Sequence, residues 1–185
     1  MKKNNAGISI VEVVVVVAIL AILTATGIYS ISQINGFRAR EGANTIASSL
    51  SQARVSMLGK AKSNGDMAWE IYCKDNKYYV RTVYNITGTE YYRDEAKIAD
   101  GRVTVKYGFG TLNSSNNSVN PINNIVIGNN QAYRVYFNRS TGAVCDDSGA
   151  ELSGDLYFRV EQGNKDYDVF IVSKTGKIIS QSIKK

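Results

Sequence analysis

Three groups of residues in this chain carry side chains that could do chemistry: one carboxylate inside an apolar run, two cysteines, and a set of lysines near the carboxyl end. The carboxylate is Glu12, which is followed by a stretch, residues 13–37, without a charged side chain. The cysteines are Cys73 and Cys145. None of these groups has the spacing of a known catalytic motif, so they favour binding and assembly over catalysis. The lysines are Lys174, Lys177, Lys184 and Lys185.

The composition excludes the common catalytic sites. Histidine is absent, which excludes Ser-His-Asp and Cys-His nucleophiles, imidazole-ligated zinc and a histidine general base. No GxxxxGK[ST] loop or GxSxG elbow occurs, and Gly108-Phe109-Gly110 lacks the strand–helix turn of a dinucleotide site. Adjacent acidic residues at Asp94-Glu95 and Asp146-Asp147 could hold calcium but are typical of solvated turns. We therefore expect no enzymatic activity, no cofactor and no bound metal.

The amino-terminal segment is long and apolar enough to predict a membrane span. Its uncharged part, residues 13–37, would reach roughly 37 Å as a helix, and a bilayer core is about 30 Å thick. Lys2 and Lys3 precede it, which predicts that the carboxyl-terminal body lies outside the cytoplasm. A cleaved secretory signal and an ordinary single-pass anchor are the alternatives. Neither accounts for Glu12, because a carboxylate in an apolar helix costs a few kcal/mol and normally has a partner.

These residues resemble a known signal. A basic leader ending in Gly7, then Ile8, Ile10-Val11-Glu12 and a long aliphatic run is similar to the class III signal of type IV pilins and pseudopilins, although Ile8 stands where phenylalanine is commonest. The resemblance implies that a prepilin peptidase cuts between Gly7 and Ile8 and methylates Ile8. It also implies a filament in which Glu12 pairs with the amine of a neighbouring subunit. The implied partners are that peptidase, other pilin-like subunits, membrane lipid, and an assembly platform with its ATPase.

The helix is expected to continue beyond the membrane. Its second half places apolar residues at helical spacing opposite a polar face, and residues 63–66 form a plausible stop. The predicted organisation is a cleaved leader at 1–7, a membrane or filament-core helix at 8–37, an amphipathic half at 38–66 and a β-rich body at 67–185. The apolar stripe consists of Ala39, Ala43, Ile46, Leu50, Ala53, Met57 and Ala61.

Short alternating runs separated by turns predict strands in the body. A hairpin is expected around Lys74-Asp75-Asn76, and residues 111–124, rich in Asn and Ser and containing the only proline, are expected to form an exposed loop. The predicted fold class is α+β, with the long amino-terminal helix packed on an antiparallel β-sheet body as in pilins. The other expected strands lie at residues 102–107, 124–127, 133–138, 155–160, 167–172 and 177–180.

The carboxyl-terminal third resembles one branch of the family. A strand ends in a Phe-x-x-x-x-Gly turn at Phe137 and Gly142, and two further strands follow with a turn at Gly176. This order is similar to minor pseudopilins of the H type in type II secretion and to their FimT-like relatives in type IV pili. The resemblance implies a minor pilin or pseudopilin, stored in the cytoplasmic membrane and then assembled into an extracellular or periplasmic filament.

Two other functions remain open from the sequence. The net charge of +6, the four carboxyl-terminal lysines, Arg134 and Arg139, together with interleaved tyrosines, favour a FimT-like subunit that binds DNA. However, FimT-like binders resemble one another in an arginine-containing terminal motif, and residues 176–181 of this chain lack arginine. The tyrosines and the Asn/Ser-rich segment are also consistent with a filament-borne adhesin.

The cysteines leave two alternatives. Export places Cys73 and Cys145 in an oxidising setting, where a bridge would stabilise the body by a few kcal/mol. Alternatively, both are buried thiols that pack as small apolar side chains.

Overall fold

The computed structural model describes residues 9–60, 66–86, 88–98, 103–113 and 118–183. The chain divides into two compact units, residues 1–34 and 35–185. One helix, α1, precedes eleven strands in the described residues, which confirms the predicted α+β class. Their bounds are α1 Ile10–Lys60, β1 Met67–Lys74, β2 Lys77–Ile86, β3 Thr89–Lys97, β4 Thr104–Asn113, β5 Ser118–Pro121, β6 Ile125–Val126, β7 Ala132–Phe137, β8 Val144–Cys145, β9 Asp155–Gln162, β10 Lys165–Val172 and β11 Lys177–Ile183.

The second half of α1 is amphipathic, as predicted. Every described residue of the predicted apolar stripe, from Ala39 to Met57, is buried, whereas Ala61 lies outside the described residues. The predicted polar face is exposed at Arg40, Glu41 and Asn44. Because three and four residue steps place side chains on one helix face, this stripe is what attaches α1 to the rest of residues 35–185.

The first half of α1 has a different character. Its valines, isoleucines and leucines between Ile10 and Leu23 are exposed in the isolated chain. None of the helices in the described part of the chain combines the length and apolarity needed to cross a membrane. The membrane span expected at residues 13–37 is therefore not confirmed.

The strands form two antiparallel sheets. The front sheet has the order β3-β2-β1-β7-β8, and the back sheet has the order β11-β10-β9-β4-β5, with β6 also paired to β4. The expected hairpin joins β1 to β2, with Lys74 opposite Lys77. Asp75 and Asn76 at its tip both have positive φ, a conformation that Asn and Asp tolerate and that suits a two-residue hairpin turn.

The helix and both sheets share one hydrophobic core. Ala43, Ile46 and Leu50 of α1 belong to the same buried cluster as Trp69 of the front sheet and Phe158 of the back sheet. The Trp69 and Phe158 rings meet edge to face at 5.2 Å, and the Trp69 indole N–H donates to Ser49 Oγ at 2.9 Å. The core therefore positions both sheets relative to the second half of α1.

The structure corrects part of the strand prediction. The segment expected to be a loop at 111–124 includes the end of β4 and all of β5. Pro121 is compatible with a strand because β5 lies at a sheet edge, where a missing N–H breaks no ladder. Strand β3 was not predicted, because its exposed sequence shows no apolar alternation. Gly108-Phe109-Gly110 lies within β4, where Gly108 leaves room for the main chain of Asn123.

Two glycine turns meet at α1 through Arg54. The Arg54 guanidinium donates to the carbonyl oxygens of Gly142 at 3.0 Å and Thr175 at 2.9 Å. Gly142 and Gly176 both have positive φ, and a Cβ on Gly176 would lie 1.9 Å from Gly142 O. The turn between β7 and β8 and the turn between β10 and β11 therefore touch each other beside the helix.

This junction generates a stability prediction. Gly176→Ala adds a methyl group with no space and forces a left-handed backbone, so it should destabilise the folded chain by roughly 1–3 kcal/mol or more. Gly59→Ala is the matched control, because a Cβ there meets nothing within 4 Å and alanine favours a helix by up to about 1 kcal/mol. Urea denaturation followed by tryptophan fluorescence measures both. A Gly176→Ala variant as stable as wild type would contradict the close approach of the two turns.

Candidate functional site

The amino-terminal signal lies at the start of α1. Gly7 and Ile8 lie outside the described residues, and α1 begins directly after Ser9. Ser9 acts as the N-cap, since its Oγ accepts the N–H of Val11 at 3.3 Å. Glu12 is exposed in the first turn of the helix, where the helix dipole favours a negative charge.

This arrangement suits charge pairing. A carboxylate in the first turn of a helix, with no ion-pair partner shown among the described residues, is available to a cation from another molecule. The apolar side chains on either side of Glu12, Val11 and Val13, provide no polar compensation. In an apolar surrounding such a carboxylate needs a positive partner.

The carboxyl-terminal lysines are only partly described. Lys174 and Lys177 are exposed at the turn between β10 and β11, while Lys184 and Lys185 lie outside the described residues. The junction at Arg54 brings this turn next to the turn between β7 and β8, which carries the exposed residue Arg139. The structure thus gathers basic residues from two distant parts of the sequence at one end of the body.

Arg134 is engaged elsewhere. Its Nε lies 2.7 Å from Glu70 Oε2 on β1, and its other guanidinium nitrogens form a fork on Glu90 at 2.7 and 2.9 Å. These two carboxylates raise the pKa of Arg134 further above its usual value. Arg134 therefore belongs to a charged network on the outer face of the front sheet, and the prediction that it serves the basic surface is not supported.

Glu70 is the centre of that network. It is only 2% exposed and holds two guanidinium groups, with Arg81 on its Oε1 and Arg134 on its Oε2. The strand register explains why these three side chains meet, because Glu70 lies opposite Arg81 on β2 and opposite Arg134 on β7. Because directly opposite residues in an antiparallel pair share a face, the three side chains must meet above the sheet.

Aromatic rings complete the network. The Arg81 guanidinium lies between two tyrosine rings, at 3.7 Å from the ring centre of Tyr92 and 4.4 Å from that of Tyr72. Burial and a 2.6 Å hydrogen bond to Glu95 raise the pKa of Tyr72 to about 12. Tyr72 also stacks on Tyr79 at 5.4 Å. These rings cover the Arg81 guanidinium, whereas Tyr92 and Glu95 at the edge of the network stay exposed to solvent.

The network bends the β2–β3 hairpin over the outer face of the front sheet. Glu90 lies on β3 and Arg134 on β7, two strands that β2 and β1 separate in the sheet order. Their contact requires β3 to bend across the outer face. Hydrogen bonds from Arg134 and Tyr92 lower the pKa of Glu90 to about 2, so the contact keeps its charge throughout the neutral and mildly acidic range.

The cysteines are not brought together. Both are free and buried. The Cys73 N–H donates to the carbonyl oxygen of Gln131, directly before β7, whereas Cys145 lies opposite Tyr136 near the end of β7, so about five residues of extended chain separate their positions. At about 3.3 Å per residue this is roughly 16 Å, and a disulfide needs Cα atoms within about 7 Å. A disulfide between Cys73 and Cys145 is therefore contradicted. Burial raises the pKa of both thiols, and it raises the pKa of Cys145 to about 11.

The acidic pairs do not converge on a common centre. Among the described residues, no group of three or more Cys, Asp or Glu side chains is arranged to hold a metal ion. The Asp146 carboxylate accepts hydrogen bonds from Ser148 and Ala150 within its own turn. Those bonds lower the pKa of Asp146. They show that Asp146-Asp147 belongs to a hydrogen-bonded turn.

The sequence contained a partial signal for the charged network. Once the Lys74–Lys77 turn is predicted, Glu70 and Arg81 must face each other, because each is four residues from the turn. No local sequence pattern indicates that Arg134 joins the network, because it lies on another strand. None indicates the hydrogen bonds of Arg54 either, since its partners are 88 and 121 residues away.

The network generates a second prediction. Glu70→Gln would leave two guanidinium groups without their buried counter-charge and should destabilise the body by roughly 3 kcal/mol. Glu95→Gln is the matched control on the exposed rim, where an effect below about 1 kcal/mol is expected. Equilibrium denaturation at neutral pH compares the two. Equal effects would show that burial of Glu70 does not matter.

Comparison with known proteins bears on the amino terminus. Residues 2–28 match a family model described as the prokaryotic N-terminal methylation motif. No curated protein and no solved structure matches the chain. The match covers the leader, Glu12 and the start of α1, and it confirms the signal expected from the sequence. It indicates a type IV pilin-like protein that is processed by a prepilin peptidase.

Proposed function

We propose that this protein is a minor pilin or pseudopilin that is held in the cytoplasmic membrane by the first half of α1 and then enters a filament. The observation that carries the proposal is the methylation-motif match at residues 2–28, within which the helix α1 begins at Ile10 and from which it continues to Lys60. In this function the peptidase cuts between Gly7 and Ile8, and the body at 67–185 lies outside the cytoplasm. The assembly platform, its ATPase and the other subunits are the partners.

Charge pairing gives the mechanism of assembly. Cleavage creates an amine at Ile8, and Glu12 offers a carboxylate in the first turn of the helix. In an apolar environment each charge is costly alone, and the pair offsets part of that cost. A subunit that enters one step out of register would leave both charges unpaired. Pairing between neighbouring subunits would thereby set the register of the filament.

The body supports the same function. One buried cluster contains residues of the second half of α1 and of both antiparallel sheets, so this half of the helix and the body pack as one compact unit. The order of the carboxyl-terminal strands, with glycine turns at Gly142 and Gly176, is the feature that resembles H-type pseudopilins and FimT-like pilins. We assign the pilin fold and this branch on that resemblance.

Glu12→Val tests the assembly role. The variant removes the carboxylate and makes the helix more hydrophobic, so membrane retention should be unchanged or improved. Cleavage should persist, because Gly7 and Ile8 are intact. Incorporation into filaments should fall at least about tenfold, corresponding to a loss of about 1.4 kcal/mol or more per contact. Sheared filaments from cells that co-express wild type and variant provide the measurement.

Glu12→Asp is the matched variant, since it keeps the charge but shortens its reach, and its incorporation should be intermediate. Mass spectrometry of the membrane-bound protein gives the mature amino terminus in the same cells. A mature chain that begins anywhere other than Ile8 would refute the processing step. Normal incorporation of Glu12→Val would refute the assembly contact while leaving processing intact.

A second function, DNA binding, is favoured by one observation. Arg54 holds the two glycine turns together, and this places Lys174, Lys177 and Arg139 at the same end of the body. Clustered cations bind nucleic-acid phosphates and release counterions. The exposed cluster is small, so the expected binding is weak and independent of sequence.

Fluorescence anisotropy with labelled DNA tests this function. Lys174→Ala combined with Lys177→Ala should weaken binding and reduce the salt slope by about 2, one for each phosphate contact. Lys77→Ala, on the exposed β1–β2 hairpin, is the control and should leave the affinity nearly unchanged. Equal losses from both changes would indicate general electrostatic attraction and no defined surface.

A further inference from the structure

The turns of the body lie in two groups along the second half of α1. In one group, the Arg54 guanidinium holds the turns that carry Gly142 and Thr175. In the other, a Cβ on Gly36 would lie 3.6 Å from Cγ of Lys165, which begins β10. Gly36 and Arg54 are about 18 helical residues, or roughly 27 Å, apart. The body therefore has a proximal end at Gly36 and a distal end at Arg54.

The hairpin between β1 and β2 also reaches the proximal end. The Tyr78 hydroxyl donates to the carbonyl oxygen of Ile127 at 2.9 Å, and the Ile127 N–H donates to that of Val105 near the start of β4. In the back sheet Thr104 lies opposite Glu161, next to the turn between β9 and β10. The tip of the β1–β2 hairpin, the start of β4 and the β9–β10 turn are therefore neighbours at this end.

Basic side chains outnumber acidic ones among the described residues of the proximal end. Lys74 and Lys77 are both exposed and lie directly opposite each other at the hairpin tip. Like charges in such a pair repel each other, and an anionic partner relieves that repulsion. Arg40 on α1 and Lys165 on β10 are exposed at the same end. The exposed acidic residues described there are Glu41 and Asp75.

Exposed apolar side chains accompany these charges. Phe37 is 69% exposed, and Val126 on β6 is 47% exposed. Phe37 is also the last residue of the uncharged run at 13–37, and Arg38 is the first charged residue after Glu12. Basic residues beside exposed aromatic and aliphatic ones are typical of surfaces that lie in the headgroup region of a bilayer. Phosphate contacts to a nucleic acid need the charges but no exposed apolar group.

We propose that the proximal end of the body docks on the surface of an anionic phospholipid bilayer before the subunit enters a filament. Lys74, Lys77, Arg40 and Lys165 contact lipid phosphates, and the Phe37 ring lies among the headgroups. The chain itself joins Phe37 to the apolar first half of α1, so docking is intramolecular once that half is in the bilayer, and weak contacts suffice. This inference rests on the proposed storage of the subunit in the membrane.

Paramagnetic broadening in lipid nanodiscs tests the docking. The full-length ¹⁵N-labelled protein is inserted into discs that carry a gadolinium chelate on a small fraction of their headgroups. In discs of phosphatidylcholine with about a quarter phosphatidylglycerol, the amide signals of residues 75–77 and 163–165 should broaden more than those of residues 174–176. The difference should largely disappear in discs of phosphatidylcholine alone. It should also largely disappear in about 1 M salt, where the Debye length is about 3 Å.

Lys74→Gln combined with Lys165→Gln removes two charges from the proximal end. The ratio of docked to free body should fall about fivefold for each lysine removed. Lys174→Gln combined with Lys177→Gln is the matched control, because it removes the same charge from the distal end and should leave the broadening pattern unchanged. Equal losses from the two double variants would overturn the proposal, since they would show attraction by net charge alone.

Phe37→Ala tests the apolar part of the contact. The docked fraction should fall at least about threefold, because the ring no longer leaves water among the headgroups. Val55→Ala is the matched control, since Val55 is 67% exposed on the same face of α1 about five turns later, and it should dock as wild type does. Unchanged docking of Phe37→Ala would overturn the assignment to a lipid surface.

Other outcomes separate this inference from the proposed function. Equal broadening at both ends, no response to phosphatidylglycerol, docking that needs a second copy in the same disc, or displacement by duplex DNA would each overturn the docking. A chain that enters discs and stays there without end-specific broadening would overturn the docking alone. A chain that does not enter discs would overturn the proposed membrane storage as well.

Discussion

Burial of one apolar stripe of α1 is the interaction on which the rest of the body depends. The three larger residues of the stripe, Ile46, Leu50 and Met57, are essentially inaccessible to solvent and contribute about 1.5–3 kcal/mol each. The other buried residues of the stripe are the alanines Ala39, Ala43 and Ala53. Trp69 and Phe158, from opposite sheets, belong to the same buried cluster as this stripe, and their rings contact each other. Without the helix, two sheets would share a core with an open side.

The outer surfaces are organised by a different force. On the front sheet, Glu70 holds Arg81 and Arg134, and Arg134 in turn holds Glu90. Desolvation offsets much of the attraction in a buried ion pair, so the net stability that such a network adds over apolar packing is small. Its geometric effect is larger, because it fixes how the β2–β3 hairpin bends across the sheet. The apolar core thus provides stability, and the charged network determines the position of one hairpin.

The two halves of α1 differ in which of their faces carry apolar residues. The second half is amphipathic, and its apolar stripe is buried against the body. The first half carries apolar residues on all sides and one carboxylate, Glu12, near its start. A helix that is apolar all round needs other apolar surfaces to cover it. In the proposed function, lipid before assembly and neighbouring helices after assembly would both provide such a surface, and pairing of Glu12 would occur only after assembly.

The body adds a surface that the amino-terminal signal does not require. Arg54 ties the glycine turns of both sheets to the helix, so the position of the β10–β11 turn depends on α1. Strand β11 follows that turn and is the last strand of the back sheet on that side among the described residues.

The sequence by itself determined the features that depend on local pattern. The methylation signal, the buried stripe from Ala39 to Met57 and the β1–β2 hairpin follow from spacing, because helical period, strand alternation and turn chemistry act over a few residues. Only the tertiary structure decided the rest. The strand β3 and the pairing of Glu70 with Arg134 depend on distant segments, as does the separation of Cys73 from Cys145. No local preference encodes such contacts, since they arise only when the core has already placed the strands side by side.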